Sequence, residues 1–508
     1  MLSNVSSDPS VVAGAFAGAV ALAIAYNQIS LYLARRKFQQ ENGCQPLLHH
    51  FPIKDPIFGI DNIIESVRAK NEHRLLDRIL NNFEKYGNTF GSKMAQRKII
   101  VTREPENVKT ILSLKFKDYS LGNRIDALGP LLGKGIFTMD GDFWAHSRAM
   151  IRPNFTRDQV ADLEAFERHI QKLWKKIPRD GSTVDLQDLF FRFTIDSATE
   201  FLFGVSTNTL KEGADDASGA EFAKAFTIAQ DACASRNRRG ILNLFVSDKE
   251  ADEATKFCHK FVGQFVEEAI RYRQKVDVEK SGEEKYVFLH TLAQDTQDKT
   301  RLQDEILNVL LAGRDTTASL LANMWFMLAK NPAIYEKLRR EVEETFPDGE
   351  LPTYEKLRNM KYLKYCMNES LRIHPVVPVN SRLAVRDTVL PRGGGIDGRS
   401  PVFVPKGHVV TYSTYAMHRD TRFFGKDAHE FRPERWETLR PGWEYLPFNG
   451  GPRICLGQQY ALTEAGYVTC RLCQEFKNVE SRDPGPWKEG LTLTLCSANG
   501  TKVSLTPA

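Results

Sequence analysis

The sequence predicts a mainly α-helical chain with a smaller β region, preceded by an N-terminal transmembrane helix. Three observations lead there. Val11 to Tyr26 is an unbroken run of apolar and small residues that continues to Leu33, with Asn27, Gln28 and Ser30 interrupting. Asp304 to Lys330 is a long, proline-free, largely apolar stretch that reads as one buried helix. Pro391 to Pro401 is polar and rich in turn residues, with β-like segments on either side, and reads as a hairpin loop rather than a phosphate cradle.

The elements follow in order. As a helix, residues 11–33 span about 34 Å, enough for a bilayer core. Arg35-Arg36-Lys37 come next, and no Lys or Arg precedes the run. The positive-inside rule then leaves the bulk of the chain cytosolic. A cleaved signal peptide is the rival reading, but it needs a basic leading segment that is missing. Residues 1–37 are therefore expected to be anchor and flank. Residues 38–60 are expected to form a neck stiffened by Pro46, Pro52 and Pro56. No Pro/Gly/Ser-rich or charged linker divides residues 61–508, which are expected to form one domain.

The net charge of +5 is mild and comes with no basic tract interleaved with aromatics, so nucleic acid is not indicated. It suits an acidic protein partner or an anionic membrane surface. The eight cysteines are scattered, without the spacing of a disulfide framework. Cys470 and Cys473 form a C-x-x-C in a helical run with no second pair nearby, which points to packing rather than zinc.

One cysteine stands apart, in Phe448-Asn449-Gly450-Gly451-Pro452-Arg453-Ile454-Cys455-Leu456-Gly457. It precedes a helix-like run, so backbone N–H groups and the helix dipole favour its thiolate. A thiolate on a rigid loop is a natural axial ligand for haem iron. Arg453 can neutralise a propionate, Phe448 can shield the sulfur, and Gly451 and Gly457 permit close approach to a flat cofactor. A buried structural cysteine is the plainer alternative.

This loop is similar to the cysteine loop of the cytochrome P450 family, F-x-x-G-x-R-x-C-x-G. Further resemblances follow the family's order from about residue 45 to the end. Trp144, His146 and Arg148 resemble its propionate-binding helix. Ala312-Gly313-Arg314-Asp315-Thr316-Thr317 resembles its distal-helix motif, which implies Asp315 and Thr316 as the acid and alcohol that deliver protons to dioxygen. Glu369, Arg372 and Arg435 resemble its structural network beneath the cysteine loop, with Trp436 where the family usually has Phe. Arg382 stands where the family has a further propionate-binding arginine. The resemblance implies haem b with Cys455 as the thiolate ligand.

No Rossmann fingerprint, P-loop or flavin-binding segment is present, so electrons must come from another protein. For a membrane-anchored family member that implies an NADPH-dependent diflavin reductase, in the endoplasmic reticulum membrane. Val309, Ala312, Val379 and Leu495 are expected to line the substrate pocket, and all are apolar. Arg124 and Lys134 are candidates for a cation at its mouth, weighed against plain solvated loop charges. The 312–318, 146–150, 391–395, 403–407 and 455–465 segments resemble fungal alkane- and fatty-acid-hydroxylating members. Other substrates (a sterol, a secondary metabolite, a xenobiotic) remain the alternative. A haem-thiolate isomerase or dehydratase, or a non-catalytic haem protein, fits less well with Asp315 and Thr316 both present.

Overall fold

The structure is a computed structural model that describes residues 9–55, 59–94, 97–155, 163–211, 217–276 and 286–508. The helices used below are α1 (Pro9–Glu41), α2 (Gly141–Ile151), α3 (Leu186–Phe203), α4 (Ala217–Arg239), α5 (Lys249–Val276), α6 (Lys299–Lys330), α7 (Lys361–Ile373) and α8 (Gln458–Glu475). The strands are β1 (Thr89–Met94), β2 (Arg97–Thr102), β3 (Tyr119–Ser120), β4 (Val379–Ala384), β5 (Thr388–Gly394), β6 (Ser400–Val404), β7 (Val409–Ser413) and β8 (Leu495–Ser497). Helices dominate and the β region is smaller, as expected.

The centre is α6. Its start is capped by Asp298, whose carboxylate accepts the Thr300 and Arg301 N–H groups. Apolar residues then fall on every side, so the helix is buried almost throughout and packs against α3, α5, α7 and α8. Two cores share it. Trp325, Leu321 and Met324 pack with α7 and α8, whereas Leu302, Ile306 and Leu310 pack with α4 and α5. Cys470 and Cys473 lie buried in the first of these.

One sheet runs β1-β2-β7-β4-β3. β2 and β7 are parallel, whereas β7 and β4 are antiparallel with Arg382 opposite Val410. β5 and β6 form the expected hairpin over the glycine-rich stretch. Gly393 has φ +117°, a conformation open to glycine but not to side-chain-bearing residues.

α1 is long and apolar enough to cross a membrane, and it continues beyond Arg35-Arg36-Lys37 to Glu41. Residues 35–41 are good helix formers with no proline, and they dock. Arg35 pairs with Asp387 through two 3.0 Å bonds, and the Phe38 and Phe403 rings lie 5.7 Å apart. The neck is likewise laid along the domain, with Gln45 N–H donating to Pro401 C=O and Phe51 N–H to Gly91 C=O. Pro56 lies outside the described residues.

Candidate active site

The cysteine loop is held mainly by its own backbone. Cys455 N–H donates to Phe448 C=O, and Ile454 N–H to Gly451 C=O, both at 3.0 Å. Gly457 caps α8 two residues later. Gly451 has φ +68°, and a Cβ there would stand 1.9 Å from the Leu112 carbonyl oxygen. The glycine is thus required for packing against the Leu112 segment. At Gly457 the nearest atom to a Cβ is on Phe155 at 3.6 Å, so the chain itself would tolerate a methyl group. Phe448 is half-buried against the core.

Cys455 is accessible at its surface, yet burial pushes its thiol up, with the Gly457 N–H and Arg148 opposing. Both statements hold for a sulfur that faces an interior recess.

Three guanidinium groups cluster beside the cysteine loop. Arg382 of β4 is buried, and Arg124 and Arg453 are half-buried. Arg453 donates to Asp140 Oδ1 at 2.6 Å and to Met139 C=O at 2.9 Å, and it stacks over the Trp144 ring at 4.3 Å. Arg124 and Arg382 share Asn380 Oδ1 at 2.8 and 3.1 Å. Burial, and then Arg382, pushes Arg124 down to about 10. Burial also pushes Arg453 down to about 10, with Asp140 opposing. Among the described residues, Asp140 is the one carboxylate paired with the three. Arg124 thus belongs to this cluster, whereas Lys134 is exposed.

α2 contributes Trp144 and Arg148 on one face. Arg148 donates to Ile454 C=O at 2.9 Å, so in this structure it braces the cysteine loop. His146 is exposed, about 200° round the helix from Trp144. The structure does not bring it to the loop.

An iron cofactor bearing two carboxylates fits this donor set. The thiol is a soft iron ligand, and the excess of buried positive charge calls for anions whose geometry suits guanidinium.

On α6, Thr316 Oγ1 donates to Ala312 C=O at 2.6 Å, one turn back as anticipated. Asp315 is buried, 3.1 Å from the Arg314 guanidinium, and accepts a hydrogen bond from Gln230 of α4. Burial pushes its carboxyl up, with Arg314 and then Gln230 opposing. Arg314 also reaches Thr227 Oγ1 at 2.7 Å.

The family model for cytochrome P450 matches residues 55–502. The chain belongs to the cytochrome P450 family. Among its relatives are cytochrome P450 monooxygenase himC of Aspergillus japonicus, 50% identical over 98% of this chain and 90% of the relative, and cytochrome P450 monooxygenase fsdH of Fusarium heterosporum, 50% identical over 94% and 86%. Cytochrome P450 52A3-A of Candida maltosa is 46% identical over 88% of this chain and 89% of the relative. The enzyme is a monooxygenase that uses haem b with a cysteine thiolate ligand, O2, an apolar substrate and electrons from a redox partner.

The structure brings together the P450 network residues expected beneath the loop. Glu369 is fully buried and accepts from Arg372 Nε and Nη2 at 2.9 and 2.8 Å and from Arg435 Nε at 2.8 Å. Arg372 also donates to the carbonyls of His418, Ala428 and Glu430, riveting α7 to the segment that leads to the loop. Trp436 makes a contact no phenylalanine can make: its indole N–H donates to Glu369 at 3.0 Å.

The expected pocket residues are split. Val309 and Ala312 lie on α6, whereas Val379 and Leu495 pack together with Leu76 and Tyr415. The β8 turn is fastened to α6 by Asn323 Nδ2 on Leu495 C=O at 2.8 Å and by Ser319 on Thr494 at 3.2 Å. Gln230 and Asp140 were not anticipated. Gln230 is a mid-helix amide 85 residues from its partner, and no local pattern marks it. Arg124 carried a charge signal, but sequence alone could not tell an interior arginine from a solvated one.

Proposed function

We propose that the chain hydroxylates long-chain alkanes or fatty acids at or near the terminal carbon. In this reading it works at the endoplasmic reticulum membrane with its domain cytosolic, fed by an NADPH-cytochrome P450 reductase. The observation that carries the substrate class is the apolar character of Val309 and Ala312, on the same distal helix as Asp315 and Thr316. The resemblance to fungal alkane- and fatty-acid-hydroxylating members supports the same reading.

When bound, haem b supplies dioxygen activation. The chain's residues do the rest. Arg124, Arg382 and Arg453 would hold the cofactor carboxylates, and Cys455 Sγ would ligate its iron. Thr316 Oγ1 holds a proton toward the Ala312 carbonyl and can turn to release it. Asp315, biased toward its neutral form by burial, is a proton source one residue away.

Membranes carrying the full chain plus reductase and NADPH are expected to convert dodecane, lauric acid or oleic acid into hydroxylated products. No product from any of them would overturn the substrate reading. Reduced protein is expected to give the red-shifted carbon monoxide spectrum of thiolate ligation, and Cys455→Ala to lose it. The relatives at 50% identity bear names outside the 52A group, which favours a second reading: another apolar substrate, such as a secondary metabolite.

A further inference from the structure

We infer that the chain has a second binding site, a cleft at the C-terminal ends of α6 and α7 that takes a small organic carboxylate with an apolar body. Its walls share no residue with the cysteine loop or with the arginine cluster beside that loop.

The cleft forms where two helices stop together. Pro332 and Pro375 restrict Asn331 and His374, which leave helical backbone at ψ 73° and 67°. Between the two ends lies a cleft of about 390 Å3, lined by Phe326, Lys330, His374, Arg419, His429 and Trp487 among others. Trp487 is fixed twice. Its indole N–H donates to Asn323 Oδ1 at 3.0 Å, and its ring stacks on His374 at 4.2 Å. That wall is ordered before any ligand arrives.

Two buried polar side chains of the lining are short of partners. Arg419 is 7% exposed, yet its guanidinium makes one hydrogen bond among the described residues, Nη1 to the Tyr415 carbonyl at 3.4 Å. Otherwise it lies over the Tyr415 ring at 3.6 Å. An arginine carries five donors. His374 is 4% exposed, and its Nδ1 has no partner among the described residues. Groups buried this deeply are normally satisfied. Lys330 adds a second cation, its ammonium reaching the Asp483 carbonyl.

No carboxylate side chain lines the cleft among the described residues. Asp483 turns its carboxylate to the Gly485 N–H and to Asn499. Glu369 is taken by Arg372 and Arg435. Asp77 and Glu84 act on Arg419 and His429 from a distance. Burial pushes Arg419 down to about 10, with Tyr415 opposing and Arg372 adding to the fall. The carbonyl ends of α6 and α7 count against an anion, but as partial charges that fade within a turn. A guanidinium on a desolvated slot suits a planar carboxylate, held by two parallel N–H groups. Phe326 and Trp487 offer its carbon body an apolar wall that an inorganic anion would not use.

The test is equilibrium dialysis of labelled benzoate against the full-chain holoenzyme in detergent micelles, with the haem pocket filled by an azole that ligates the iron. Benzoate should still be retained with the azole present. Acetate, which lacks the apolar body, and inorganic phosphate should each compete about tenfold more weakly than benzoate. Lys330→Glu with His429→Glu, both at exposed positions, should weaken binding about tenfold and leave the carbon monoxide spectrum unchanged. Arg419→Gln should abolish binding, and the exposed pair decides the matter if that variant does not fold. No retention, or retention that the azole removes, overturns the inference, as does unchanged binding in the exposed pair. Phosphate competing as well as benzoate overturns the assignment to an organic carboxylate.

Discussion

Trp436 is the residue where a departure from the family pattern has a visible cause. Its indole N–H lies 3.0 Å from Glu369, a carboxylate with no access to water. A hydrogen bond to a charged group contributes about 1.5–3 kcal/mol. Trp436→Phe is expected to cost about 2 kcal/mol for that reason, read as a lowered midpoint in denaturant. Glu369→Gln should be worse, because buried Arg372 loses its counter-ion and Arg435 keeps only Asp427, at about 3–5 kcal/mol. Gly451→Ala combines a positive φ with a Cβ inside the Leu112 carbonyl. It should yield little cofactor-bound protein, measured as carbon monoxide difference absorbance per milligram.

Glu464 ties three elements together. It sits on α8, buried, and accepts from Ser197 of α3 at 2.7 Å and from Thr317 of α6. Burial pushes its carboxyl up to about 7, with Ser197 and Thr317 opposing. The folded state therefore holds its proton more tightly than the unfolded state. Stability from this group is full at pH below the ordinary carboxyl value and is lost as pH rises from there through about 7. The span is on the order of 3 kcal/mol. Melting temperature should fall between pH 5 and 8 in the parent and vary less in Glu464→Gln. A parallel pH dependence in both proteins would refute the assignment.

At the scale of the whole molecule, sequence and structure agree where the signal is local. The apolar run of α1, the small residues and paired threonines of α6, the E-x-x-R of α7 and the cysteine loop are all spelled out within a few residues. What sequence left dark depends on long-range approach. The Gln230 bond to Asp315, the Asp140 partner of Arg453 and the Arg35 grip on Asp387 join residues 85 to 352 positions apart. The packing of Gly451 against Leu112 was hidden for the same reason, since Leu112 is far away in the chain. His146 was grouped with its neighbours by proximity in sequence, where helical phase separates them.

The three arginines beside the cysteine loop also bear on how much of this enzyme a cell can keep. Their mutual repulsion is part of the cost of folding, and an anionic cofactor relieves it by binding only the folded form. Supply of haem then sets abundance as well as turnover: a cell starved of it should degrade the chain faster than it loses the transcript. A pulse-chase of the parent beside Arg382→Gln would show it, the variant's half-life depending less on haem supply.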